Sequence, residues 1–305
     1  MSRVYSNALF LPAFPDGELV SHFLRRLCHG ARALSVPPAS KRLAGRRPEL
    51  NAMPNDLVRF HHEVGHFYGS IASLVDRHTL CDLHCCGLPM DRFTLQRARL
   101  EKKLFTATRL NHLPVDMTPP QLVRLRCTEC EKEQEHDYGF AFIHRRTEVP
   151  FVEVCGTHGI ALRSEVGEAG PYELCRRCMP DIYQREMALE YSRRICVAVE
   201  TPVAQSPYHK DAVAERLLAA GWASPARRLH FDDLLPQFSF FFRNAFSDGR
   251  LALLVEDPLY IEAAVRAIFR CDRNVHPVWC VLFLWFAENC SLQRRVTRKR
   301  SPYLA

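Results

Sequence analysis

Apolar residues recur at helical spacing over most of the chain. In "DGELVSHFLRRLCHG" (16–30), Leu19, Val20, Phe23, Leu24 and Leu27 fall on one stripe. The segment predicts a helix opened by Asp16 and closed by Gly30. A Pro/Gly/Arg stretch (35–48) reads as a loop. A second helix is expected from about Asp56 to Asp76, capped by Asn55. Leu57, Phe60, Val64, Phe67, Tyr68, Ile71, Leu74 and Val75 line one side of it. "RFTLQRARLEKKLF" (92–105) predicts a third, basic amphipathic helix. Residues 1–119 thus read as an all-α domain with room for a helix-turn-helix.

Between about 120 and 195 the pattern changes. Cysteines come in close pairs, and short extended pieces such as "GFAFIH" (139–144) and "PFVEVC" (150–155) alternate with turns. Helical periodicity returns from about Pro207, in four segments: 210–222 ending at Gly221, 232–246, 257–270 and 276–290. Their short connections predict a compact helical domain. "VWCVLFLWFA" (278–287) is about half the length that spans a bilayer, so it reads as a buried helix, and no membrane partner is expected. The expected fold is mainly α, with helix-turn-helix-like N-terminal (1–119) and C-terminal (201–290) domains. These flank a small zinc-ribbon-like module (120–200), and a basic tail (291–305) follows.

Composition sharpens this only in places. A 305-residue chain that is 47% hydrophobic can bury two or three cores. A formal charge of +7 is modest for the length, but it is unevenly spread. Arg294, Arg295, Arg298, Lys299 and Arg300 crowd the tail, and Lys41, Arg42, Arg46 and Arg47 form a second group. Each group reads either as a solvated loop or as a set of phosphate contacts to nucleic acid. Met1–Asn7 is polar and no apolar leader follows, so the 13 cysteines are expected as thiols and metal ligands in a cytoplasmic protein.

The strongest chemical pattern is Cys127-x-x-Cys130 followed by Cys155-x-x-His158. Two ligands three apart on a tight turn can reach one ion, and two such turns complete a tetrahedron. Four protein ligands leave no open position, so the expected Zn2+ is structural, contributing roughly 10–16 kcal/mol to folding. Cys175-x-x-Cys178 offers a second pair; a second zinc would need two more ligands, for which Cys196, His136 and His144 are candidates. "CDLHCC" (81–86) reads as core packing, and Cys28, Cys271, Cys280 and Cys290 as small hydrophobes on helix patterns.

A competing pattern is His62-Glu63-Val64-Gly65-His66, the H-E-x-x-H of zinc peptidases. The third ligand of the longer form would fall at Ala72, which cannot ligate, and Glu101 is the one acid suitably downstream. On an unbroken helix, His62 and His66 would lie opposite the apolar stripe, on a face suited to a site or to water. There is no phosphate-binding glycine loop, no nucleophile elbow and no spaced acidic set, so no catalytic residues are expected.

Several segments together resemble the TniQ/TnsD family, which selects target sites for transposons regulated by an AAA+ ATPase. "LFLPAFPDGELVSHFLRRL" (9–27) is similar to the family's opening. "DRHTLCDLHCCGLPMDR" (76–92) is similar to its H-T-L…L-P segment, with His78, Thr79, Leu80, Leu88 and Pro89 in register. The zinc signature, C-x-x-C and then P-x-V-x-x-C-x-x-H-G-x-x-L, is matched by Cys127, Cys130, Cys155, His158, Gly159 and Leu162. "RNVHPVWCVLFLWF" (273–286) resembles a helix of the TnsD branch that opens with His-Pro. The resemblance covers most of residues 9–290. It implies a non-enzymatic adaptor linking a target to the transposon's AAA+ ATPase. The target would be a DNA site, or a CRISPR effector complex with its guide RNA, and in some systems the adaptor is a homodimer. The alternatives are a zinc metallopeptidase using His62, Glu63 and His66, or a zinc-containing DNA-binding transcription regulator.

Overall fold

The computed structural model describes residues 11–33, 57–101, 125–164 and 182–292. Among these, the chain is mainly helical, and its only strand ladder is two residues long on each side. No described helix is long and apolar enough to cross a membrane.

α1 spans Val20–Ala33. It starts four residues later than the sequence suggests and runs through Gly30. Asp16 is therefore not its cap; it lies in a surface turn, 3.4 Å from Arg77. Leu19, Val20, Phe23 and Leu24 are buried as the stripe predicts. The expected helix from 56 to 76 is broken into α2 (Leu57–Glu63), a 3-10 turn (Gly65–Phe67) and α3 (Ile71–His78). The cause is local. Gly65 is packed against Phe60 and Leu74 with no room to spare for a Cβ, and Gly69 sits at φ +131°. Ser70 Oγ then accepts from the Ser73 N–H and caps a new helix. Leu57, Phe60, Leu74 and Val75 of the predicted stripe are buried on one core, but Phe67, in the 3-10 turn, is turned out and exposed, because the break takes it off the stripe.

α4 (Cys81–Cys86) and α5 (Met90–Glu101) complete this part. Next come β1 (Leu125–Arg126), α6 (Thr128–Tyr138), a 3-10 turn (Arg145–Glu148) and β2 (Arg163–Ser164). β1 and β2 pair antiparallel with Leu125 opposite Ser164. The zinc-ribbon expectation is thus corrected: a helix starts within the first cysteine pair and carries Cys130, and "GFAFIH" and "PFVEVC" carry only isolated bridges, at His144 and Val154.

α7 (Ile182–Glu200) is a 19-residue helix in a stretch expected to be part of the cysteine-rich module. Its buried positions Ala188, Tyr191, Ser192, Ile195, Ala198 and Val199 have plain helical spacing. The C-terminal part holds five helices, one more than predicted: α8 (Lys210–Ala219), α9 (Phe231–Phe241), α10 (Gly249–Glu256), α11 (Pro258–Phe269) and α12 (Pro277–Asn289). Asp257 ends α10 and caps α11, whose first residue is Pro258, so the two helices share one joint residue.

α12 is the hub. Every residue from Pro277 to Ala287 is buried, as a helix apolar on all sides requires. It packs against α4, α7, α8 and α11. One hydrophobic cluster runs from Leu19 to Ala287 and takes in Cys127, Cys155 and Leu162. The fully buried Lys210 inserts its ammonium into the end of α11, donating to the carbonyls of Ala267, Arg270 and Arg273 at 3.0, 2.6 and 2.6 Å. Three acceptors compensate a charge that burial alone would make costly.

Candidate metal centre

Cys127 stands at the end of β1, in extended backbone, as the N-cap of α6. Its sulfur accepts from the Cys130 N–H at 3.5 Å, and the first turn of α6 carries Cys130 to the same side. The second pair sits on a tight turn. His158 N–H donates to Cys155 Sγ at 3.4 Å, and Gly159 N–H donates to the Cys155 carbonyl at 2.8 Å. Gly159 closes that turn at φ +65°, a conformation most side chains avoid. Val152 and Leu162 flank the turn as buried anchors, and the Leu162 N–H donates to the Glu153 carbonyl.

These turns bring Cys127, Cys130, Cys155 and His158 together, with one ligand atom of each within 4.8 Å of all the others. Cys130 and Cys155 sulfurs are 3.7 Å apart. His158 Nδ1 lies 3.4, 3.3 and 3.6 Å from the sulfurs of Cys127, Cys130 and Cys155. A tetrahedral zinc with bonds of about 2.3 Å to sulfur and about 2.0 Å to nitrogen has S–S edges of about 3.8 Å and S–N edges of about 3.5 Å. The cluster has that size, and all three cysteines are free thiols. The four residues can hold a metal ion. Cys155 is pushed towards thiolate because Cys127 and then Cys130 donate to its sulfur. His158 presents Nδ1 inward and places Nε2 3.1 Å from the Glu133 carboxylate on α6. A carboxylate there favours the Nε2–H tautomer and leaves Nδ1 free to ligate.

The other sequence candidates fall differently. Cys175 and Cys178 lie outside the described residues, as do Lys41, Arg42, Arg46, Arg47, Arg294, Arg295, Arg298, Lys299 and Arg300. The residues considered as further ligands of a second site have these places. His136 is on the exposed side of α6, His144 packs beneath Gly17, and Cys196 lies 4.0 Å from Arg146. Cys81, Cys85 and Cys86 are buried in the core as expected, and so is Cys280, but Cys271 is exposed rather than packed.

The H-E-x-x-H residues do not share one helix. The helix ends at Glu63, and His66 belongs to the 3-10 turn, where its Nδ1 lies 3.1 Å from the His61 carbonyl. His62 is 84% exposed and faces Glu63 at 3.8 Å. Among the described residues, the Cys₃His cluster is the only metal-sized grouping.

Three neighbours of the cluster escaped sequence reasoning: Glu133, Arg146 and Thr157. Glu133 had a usable signal, since it follows Cys130 by three residues on one helix face. Thr157 lies within the Cys155-x-x-His158 turn itself, whereas Arg146 reaches the centre only through tertiary folding. No known family model matches the chain, and no curated protein matches it either.

Proposed function

We propose that this protein is a non-enzymatic adaptor for target-site selection in DNA transposition, built around a structural zinc and linking a target to an AAA+ ATPase. The observation that carries the reading is the convergence of Cys127, Cys130, Cys155 and His158 on one tetrahedron-sized cluster. These are the residues of the signature that resembles the TniQ/TnsD family. Further support comes from the structural jobs of the other resembling positions. Glu18 is buried and paired with Arg26 through two contacts of 3.1 and 2.7 Å. His78 Nδ1 lies 2.9 Å from the Glu18 carbonyl, and Thr79 Oγ1 accepts from the Cys81 N–H at the start of α4. His276 caps α12 by accepting from the Val278 N–H, with Pro277 in the first turn. Four protein ligands saturate a tetrahedral metal, which suits a structural role and not a catalytic one.

The first test is whether genes for a transposase and an AAA+ ATPase adjoin this one, and the second is reconstitution of transposition in cells that carry those genes with a donor element. Deleting this chain is expected to abolish targeted insertion, and the purified protein is expected to retain the ATPase on a column. Glu63→Gln is expected to leave insertion unchanged. Insertion that proceeds normally without the chain sinks the adaptor reading, and a folded Glu63→Gln protein without activity would point to peptidase chemistry instead.

A further inference from the structure

The geometry points to Arg146 as the counter-charge of the Cys₃His centre, a positioning residue held by His144 and Thr157 so that its guanidinium offsets the surplus negative charge of the bound metal. This rests on the metal reading above and extends it to residues that ligate nothing. Three thiolates and a neutral imidazole around a divalent ion leave a net charge of −1, and the Glu133 carboxylate on His158 adds another nearby. Such a centre is costly in a partly buried site unless a cation stands close.

Arg146 is the second residue of the 3-10 turn Arg145–Glu148 and lines the same small cleft as Cys127, Cys130 and Cys155. Its Nη1 donates to Thr157 Oγ1 at 3.1 Å, and Thr157 is the residue just before His158. The guanidinium lies against the imidazole of His144, with Nε 3.1 Å from Nδ1 and Nη2 3.4 Å from Nε2. Burial, and then the charges of Arg146 and Arg145, push His144 down to about 3, so the ring is neutral and does not repel its neighbour. His144 is itself pinned beneath Gly17, where an added Cβ would fall 2.0 Å from its ring. The remaining partners of Arg146 are weaker: Glu200 at 3.7 Å, more than half exposed, and Cys196 Sγ at 4.0 Å. Nη1 makes all three of these contacts, and the shortest of them is the one to the metal turn.

The experiment is a competition titration of the full chain against a chromogenic zinc chelator, with the Co2+ form followed by its thiolate charge-transfer band. Arg146→Met is expected to keep the tetrahedral Co2+ spectrum and to bind zinc about tenfold more weakly. Arg146→Lys should recover most of the loss. Thr157→Val, which only unties the guanidinium, should weaken binding in the same direction by a few-fold. Glu200→Gln should leave affinity unchanged or raise it. Wild-type affinity in both Arg146→Met and Thr157→Val overturns the assignment. So does a fall in Glu200→Gln equal to that in Arg146→Met, which would make Arg146 a fold-holding ion pair. Should Arg146→Met fail to fold, Thr157→Val and Glu200→Gln decide it. A wild-type chain that binds no metal refutes the metal reading itself, a result distinct from all of these.

Discussion

His276 accepts the Val278 N–H through Nδ1, and only a neutral ring can do so. Burial, and then the neighbouring His84, push its pKa from the ordinary 6.5 down to about 3. Between those values the unfolded chain carries the proton and the folded chain does not. This contribution to stability is therefore complete above pH 6.5 and is lost as pH falls towards 3, with a slope of up to about 1.4 kcal/mol per pH unit. Asparagine caps helices well and does not titrate. His276→Asn is accordingly expected to hold stability at pH 7 and to flatten the acid limb of a urea-unfolding series between pH 6.5 and 4. An unchanged slope would show that His276 titrates normally. His84, driven down to about 4 by burial, should keep part of the slope in the variant.

Elements here are positioned by a few close backbone approaches. The sharpest is at Gly87, which follows α4. Its carbonyl accepts from the Val275 N–H at 2.9 Å, just ahead of α12, and a Cβ at Gly87 would lie 1.8 Å from the Val275 carbonyl oxygen. Nearby, Arg92 on α5 donates to Asn274 at 3.0 Å, and Cys86 Sγ lies 3.6 Å from Ser206 Oγ. Gly87→Ala must push α4 away from α12 at this joint, and overpacking of this kind costs roughly 1–3 kcal/mol or more. A chemical-denaturation midpoint close to wild type would mean the joint can relax. The break between α2 and α3 is a second case. Gly65, Gly69 and Ser70 decide it; they dismantle the helical H-E-x-x-H spacing and turn Phe67 out of the apolar stripe, while Phe60 and Leu74 stay buried.

Over the whole molecule, the candidate metal centre does not stand apart from the core. Cys127 and Cys155 belong to the hydrophobic cluster that includes α12, and Arg145 N–H donates to the Gly17 carbonyl at 2.7 Å. The Arg145 side chain also donates to the carbonyls of Asp76 and Thr79 at the end of α3. Metal removal should therefore loosen more than its own loop. Cys127→Ser is expected to lose the metal and several kcal/mol of stability, since a structural zinc can contribute roughly 10 kcal/mol or more. Thermal unfolding should shift as one transition. A variant with full metal content and wild-type unfolding would refute the site, and two separate transitions would show that the metal turns unfold alone.

Spacing by itself picked out the four residues of the cluster, because two close pairs of soft donors need little more than a tight turn each to come within reach of one ion. It also determined the buried character of α12, since eleven consecutive residues without a polar face leave no side for water. The starts of α11 and α12 also fall where the segments 257–270 and 276–290 were expected to begin. α7 carried a clear helical period, but the cysteine pairs before it drew attention to a different kind of module. Tertiary structure decided the rest. The break at Gly65 depends on how closely Phe60 and Leu74 pack, and the Lys210 cage joins carbonyls some sixty residues away. Arg146 joins the centre only once its own 3-10 turn is folded against the two ligand turns. Patterns of period and pairing are local and survive in one dimension. Close approach, burial of charge and the surroundings of a ligand exist only after distant segments meet.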